Sequence, residues 1–194
     1  MLALWMALSA QLACSPRAPT YDYAKEPDPR KSEYIIGNGD SLSINVWKNQ
    51  ELSTSVVVRP DGTITMPLVG DVRALGRTPS QLKVVLAGKV SQFVKLDVSQ
   101  ITVAVNEVRS YKFTVSGEVG RPGIIQNSTY VTVSEAISMA GGFTRFASPD
   151  KIIILRRGKD KKVRKIPIVF RHIENGKRPD MDIVMISGDS MQVP

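Results

Sequence analysis

Residues 34–47, Tyr-Ile-Ile-Gly-Asn-Gly-Asp-Ser-Leu-Ser-Ile-Asn-Val-Trp, constrain the fold more than any other stretch of this chain. Leu42, Ile44 and Val46 alternate with Ser41, Ser43 and Asn45, which is the period of a half-buried strand. Ahead of it, Tyr34–Ile36 reads as a short strand and Gly37-Asn38-Gly39-Asp40 as a tight turn. Gly37 and Gly39 allow the positive φ of such a turn, and Asp40 is expected to bond its own backbone two residues on. The fold therefore opens on a β corner. The same Gly-x-Gly lacks a third glycine and a following helix, so it is not a phosphate cradle.

The remaining periodicity divides the chain into two small α+β modules, over 34–107 and 108–194. In the first, residues 55–59 read as a strand, Pro60-Asp61-Gly62 as a turn and residues 63–66 as the returning strand. Residues 67–72 read as an irregular edge. Thr78 then N-caps a helix, with Pro79 at its first position and Gln81 closing a capping box. Leu82, Val85, Leu86, Val90 and Phe93 form its predicted buried stripe, and residues 101–105 return as a strand. The second module opens on a strand at 111–115 and continues through a turn to Ile124-Ile125. A helix starts at Thr132 and stops at Gly141-Gly142. A hairpin over 151–166, a short helix or turn at 168–173 and a closing strand at 190–193 complete a β-grasp-like pattern.

Residues 1–13 carry no charge, but the run is shorter than the ~20 residues that span a bilayer. It reads as the apolar core of a secretory signal. Residues 14–33 hold four of the twelve prolines and almost no aliphatic side chains. They are expected to form an extended tether, reaching at most ~70 Å at about 3.5 Å per residue, or to lie ordered against a neighbour in an oligomer.

The single cysteine, Cys14, and single histidine, His172, exclude an internal disulfide and any zinc site built on several Cys or His ligands. No cofactor, metal site or catalytic constellation is expected, and His172 reads as a half-exposed structural residue. The net charge of +8 favours an acidic partner. Arg156, Arg157, Lys159, Lys161, Lys162, Arg164 and Lys165 form the densest basic run. It is either a rim that meets an acidic polymer or partner face, or a solvated hairpin tip. It lacks the aromatic interleaving of a nucleic-acid surface.

The order of motifs resembles the bacterial outer-membrane polysaccharide export family. The resemblance is carried by residues 34–47, Val58-Arg59-Pro60-Asp61-Gly62-Thr63-Ile64, Pro67-Leu68-Val69-Gly70 and Val115-Ser116-Gly117-Glu118-Val119 with Arg121-Pro122-Gly123. It continues through Val133-Ser134-Glu135-Ala136-Ile137, Ala140-Gly141-Gly142-Phe143, Gly188-Asp189 and Val193-Pro194. It implies a polysaccharide export domain followed by one soluble-ligand-binding β-grasp domain. It further implies a periplasmic ring, octameric in the family, aligned with an inner-membrane co-polymerase or kinase. Long members end in a helix that crosses the outer membrane; this sequence stops at Pro194, which resembles the short class working with a separate outer-membrane β-barrel. Leu12-Ala13-Cys14 resembles a lipobox, so Cys14 is the expected lipidation site, anchoring the chain to the inner leaflet of the outer membrane. Leu12 stands one residue closer to the cysteine than is usual, and no basic residue precedes the run. Two other classes stay open: a monomeric carbohydrate-binding adaptor of the export machinery, and a glycan-cleaving enzyme. The enzyme would need two carboxylates ~5–9.5 Å apart in a cleft.

Overall fold

The computed structural model describes residues 20–95, 97–158 and 160–194. Two separate apolar cores define two modules, and helices and strands mix in both: the protein is α+β.

In the first module β1 (Ser41–Val46) lies between β2 (Thr54–Val57) and β5 (Ile101–Glu107) in an antiparallel sheet. Leu42, Ile44 and Val46 point inward, as the alternation predicts. Tyr34–Ile36, expected as a strand, joins no ladder. Ile36 instead donates its N–H to the Arg77 carbonyl and accepts from the Gly76 N–H, which sews it to the loop before the helix. β3 (Thr63–Met66) and β4 (Gly70–Arg73) pair as a regular hairpin, where the sequence predicts an irregular edge for the second half. Leu68 at the tip takes φ 61°, which tightens the turn enough for the ladder to form.

The helix α1 (Pro79–Val90) has the predicted capping box between Thr78 and Gln81. It buries Leu82, Leu86, Ala87 and Val90 against the sheet. Phe93, predicted to be in the stripe, is exposed because the helix has already ended at Val90 and the chain is turning.

The second module holds β6 (Lys112–Gly117), β7 (Gly123–Gln126), α2 (Val133–Met139), β8 (Ile152–Arg157), β9 (Val163–Ile168), α3 (Phe170–Glu174) and β10 (Ser190–Val193). Its sheet order is β7-β6-β10-β8-β9. The last strand lies at the centre, parallel to β6 and antiparallel to β8. This places the first and last strands of the module side by side and gives the β-grasp arrangement. A Cβ on Gly117, at φ 90°, would sit 2.0 Å from the Val193 carbonyl oxygen, so the crossing of β6 and β10 requires glycine.

Residues 20–33 depart from the expected extended tether. They form two single 3₁₀ turns, Tyr23–Lys25 and Pro29–Lys31, packed on the β-grasp module. Tyr23 is 4% exposed and belongs to that module's core. One aromatic, Tyr23, and one carboxylate, Glu26, provide the docking in place of a periodic apolar stripe.

Candidate functional site

Asp40 sits where the two modules meet and is fully buried. Its carboxylate accepts from the backbone N–H groups of Gly37 (2.8 Å), Arg109 (2.9 Å) and Ser110 (2.8 Å). The Tyr34 and Ser110 hydroxyls add bonds of 2.6 and 3.1 Å. Asp40 thus reaches back three residues and across 69–70 positions, rather than capping its own turn. Burial, then the bond to Asp40, pushes the Tyr34 phenol well above its ordinary pKa. Gly37 is not at positive φ; its role is steric, since a Cβ there would lie 2.3 Å from Ser110. Only Gly39 supplies the left-handed turn, at φ 89°.

Beside this joint runs a groove of about 760 Å³, walled by both modules and by Pro27, Asp28 and Pro29 of the N-terminal segment. Tyr34, Tyr111 and Tyr130 converge on it. The Tyr130 ring stands edge-on to Tyr111 with centroids 4.9 Å apart, and 6.5 Å from Tyr34. Tyr111 is pinned by donating to the Met185 carbonyl and accepting from the Val131 N–H. The Asp28 carboxylate is held by Arg30.

The basic run does not act as a unit. Arg156 is fully buried and must be removed from the surface set. It lies on the inward face of β8, where its guanidinium binds Asp189 through Nε (3.0 Å) and Nη2 (2.6 Å) and the Val184 carbonyl (2.8 Å). Its Nη1 reaches Glu26 at 2.9 Å. Arg164, directly opposite on β9, binds the other Glu26 oxygen at 3.0 Å. Two cations and two carboxylates therefore neutralise one another, as burial demands. Burial alone would lower the Arg156 pKa, but Asp189 and then Glu26 outweigh it and keep the group charged.

Arg157, Lys161, Lys162 and Lys165 remain exposed, and none has an ion-pair partner among the described residues. Lys159 and Cys14 lie outside the described residues. His172 is half-buried, and its Nδ1 has no hydrogen-bond partner among the described residues. No group of His, Cys, Asp and Glu among the described residues is arranged to hold a metal ion. No described helix is long and apolar enough to cross a membrane.

Glu26, Asp40 and the tyrosine cluster were not legible as a site. Glu26 stands in a proline-rich stretch without period, and the partners of Asp40 and Tyr130 are distant in sequence.

The geometry is thus that of a β-rich module joined through a buried carboxylate to a β-grasp module. Residues 28–106 match the family described as polysaccharide biosynthesis/export protein, and residues 112–167 match the SLBB domain. The chain belongs to the bacterial outer-membrane polysaccharide export family. The polysialic acid transport protein KpsD of Escherichia coli is 27% identical over 145 residues, 75% of this chain and 25% of that protein. The EPS I polysaccharide export outer membrane protein EpsA of Ralstonia nicotianae is 27% identical over 188 residues, 84% of this chain and 48% of that protein. The exopolysaccharide production protein ExoF of Rhizobium meliloti is 31% identical over 126 residues, 60% of this chain and 30% of that protein. The chain spans between a quarter and about half the length of these relatives.

Proposed function

We propose that this chain is a ring-forming periplasmic component of an exopolysaccharide or capsule export machine, conducting polymer towards the outer membrane without chemically altering it. The observation that carries the reading is the pairing of the two modules named by the family, held together by the three bonds that Asp40 accepts across the joint from Arg109 and Ser110. A rigid joint suits a subunit that must repeat the same geometry around a ring. Arg157, Lys161, Lys162 and Lys165 form an unpaired basic edge suited to an acidic partner face or an acidic polymer. An inner-membrane co-polymerase and a separate outer-membrane barrel would complete the conduit.

Lipidation of Cys14 would add a geometric constraint. Only five residues separate it from Thr20, a reach of at most ~20 Å. Because residues 20–33 are docked on the β-grasp module, that module, not the export module, would stand next to the anchoring membrane.

Deleting the chain from its host should abolish surface polymer, and native mass spectrometry in mild detergent should give a discrete multimer near the family's eight copies. A clean monomer at high concentration, with export still lost, would replace the ring with an adaptor. Unchanged surface polymer would reject the export reading. Cys14→Ser should release the chain from the membrane fraction; unchanged fractionation would reject the anchor.

A further inference from the structure

We propose that the groove between the two modules is a binding subsite for one or two pyranose residues of the exported polymer. This rests on the export reading and locates a contact that the reading does not require. The groove's size, about 760 Å³, falls within the ~300–1,000 Å³ range of ligand clefts, and the junction of two domains is where such clefts concentrate.

Its chemistry selects the ligand. Tyr34 and Tyr130 present aromatic surface, and Ile35 beside them is 57% exposed. The Tyr34 hydroxyl is committed to Asp40 and Ser110, so its ring offers carbon rather than a polar atom. The Tyr130 hydroxyl bonds no other described residue. Around this apolar floor the rim is polar, and the one carboxylate on it, Asp28, is held by Arg30. Asn38 spends one N–H on the Pro60 carbonyl, leaving its amide oxygen to accept. Ser187 is exposed, and Lys112 carries a positive charge without an ion-pair partner among the described residues.

A pyranose has the complementary pattern: C–H groups on one face, hydroxyls around the edge. An acyl chain or an apolar peptide would leave this polar rim facing carbon. Lys112 further favours a sugar with an acidic substituent, in keeping with the chain's +8 charge.

The test titrates the full chain with two- to six-sugar fragments of the polymer its own host secretes, read by amide chemical shifts. Shifts should be confined to residues 34–38, 112 and 130. Ile35→Asp changes an exposed residue of the apolar floor that belongs to neither core, and should weaken binding by about tenfold or more by placing a charge on that floor. Tyr130→Phe should weaken it less. No saturable shifts, shifts centred on the basic hairpin instead, or unchanged binding by Ile35→Asp would each overturn the proposal. In cells, Ile35→Asp should slow polymer secretion while leaving the oligomer mass unchanged. Normal secretion by this variant, where deletion of the chain abolishes it, would overturn the subsite and leave the export role standing. A loss of oligomer mass would assign the groove to a second copy of the chain instead. If deletion itself leaves secretion normal, the export reading fails.

Discussion

Glu26→Gln tests whether the N-terminal segment is part of the fold or merely rests on it. The Glu26 side chain is 2% exposed and accepts from Arg156 at 2.9 Å and Arg164 at 3.0 Å. A charge-assisted hydrogen bond contributes ~1.5–3 kcal/mol, but Arg164 is 46% exposed and its share is reduced by solvent to ~1 kcal/mol or less. Arg156 keeps its two bonds to Asp189, so it is not stranded as a bare buried charge. Glutamine preserves the volume and one acceptor. The expected cost is therefore about 2–3 kcal/mol, below the ~3–5 kcal/mol of a fully broken buried pair. The assay is native-state hydrogen exchange at the Lys25, Glu26, Lys31 and Ser32 amides, which bond Asp22, Tyr23, Asp28 and Pro29 within the segment. Their exchange should accelerate roughly 30- to 140-fold at the rate of about tenfold per 1.4 kcal/mol. A change of less than about threefold would refute the argument that this carboxylate holds the segment down. Asp189→Asn, which keeps one acceptor oxygen but removes the charge and turns an amide N–H towards the fully buried Arg156 guanidinium, should cost more than Glu26→Gln; the reverse order would be equally damaging.

Three further outcomes follow from the same geometry. Asp40→Asn replaces an acceptor of five bonds with a group that has one acceptor oxygen, and should cost about 3–5 kcal/mol in chemical denaturation while increasing exchange at Arg109 and Ser110. A cost under about 1 kcal/mol would mean that the modules are held together elsewhere. Thr78→Ala removes the cap from α1 and should cost about 1 kcal/mol, read from a denaturation midpoint, with no change in polymer binding. Burial pushes the Tyr23 phenol up from 10.0 to about 12, favouring the neutral form in the fold. Its contribution, on the order of 2–3 kcal/mol, is full below pH 10 and lost as pH rises through about 12. The alkaline phenolate absorbance should therefore lose one tyrosine's share of the component near pH 12 in Tyr23→Phe, while the later Tyr34 component remains; an unchanged titration near pH 12 would place Tyr23 in water.

Features fixed by interactions of short range are legible in the sequence; those fixed by distant partners are not. Thr78-Pro79-Ser80-Gln81 specifies a helix start because every atom of the capping box lies within four residues. The alternation in Ser41–Val46 specifies which face is buried because the pleat enforces it locally. Prediction failed where a partner lay far away. Arg156 reads as one more cation in a basic run, yet pleating turns it inward to Asp189, 33 positions on, and to Glu26, 130 positions back. The groove is likewise invisible in sequence, since Tyr34 and Tyr130 meet only after the modules have docked.

What the sequence alone determined is therefore the inventory: two α+β modules, their turns and caps, a basic surplus, and an order of motifs that indicates an export protein. All of it rests on local backbone preferences and side-chain periodicity, which act over a few residues. What only the tertiary structure decided is which charges are spent and which remain free. A buried cation must find its carboxylates wherever the chain brings them. That requirement turns a proline-rich segment into part of the β-grasp module, and the matching need of a buried carboxylate for N–H and O–H donors makes Asp40 the joint of the molecule.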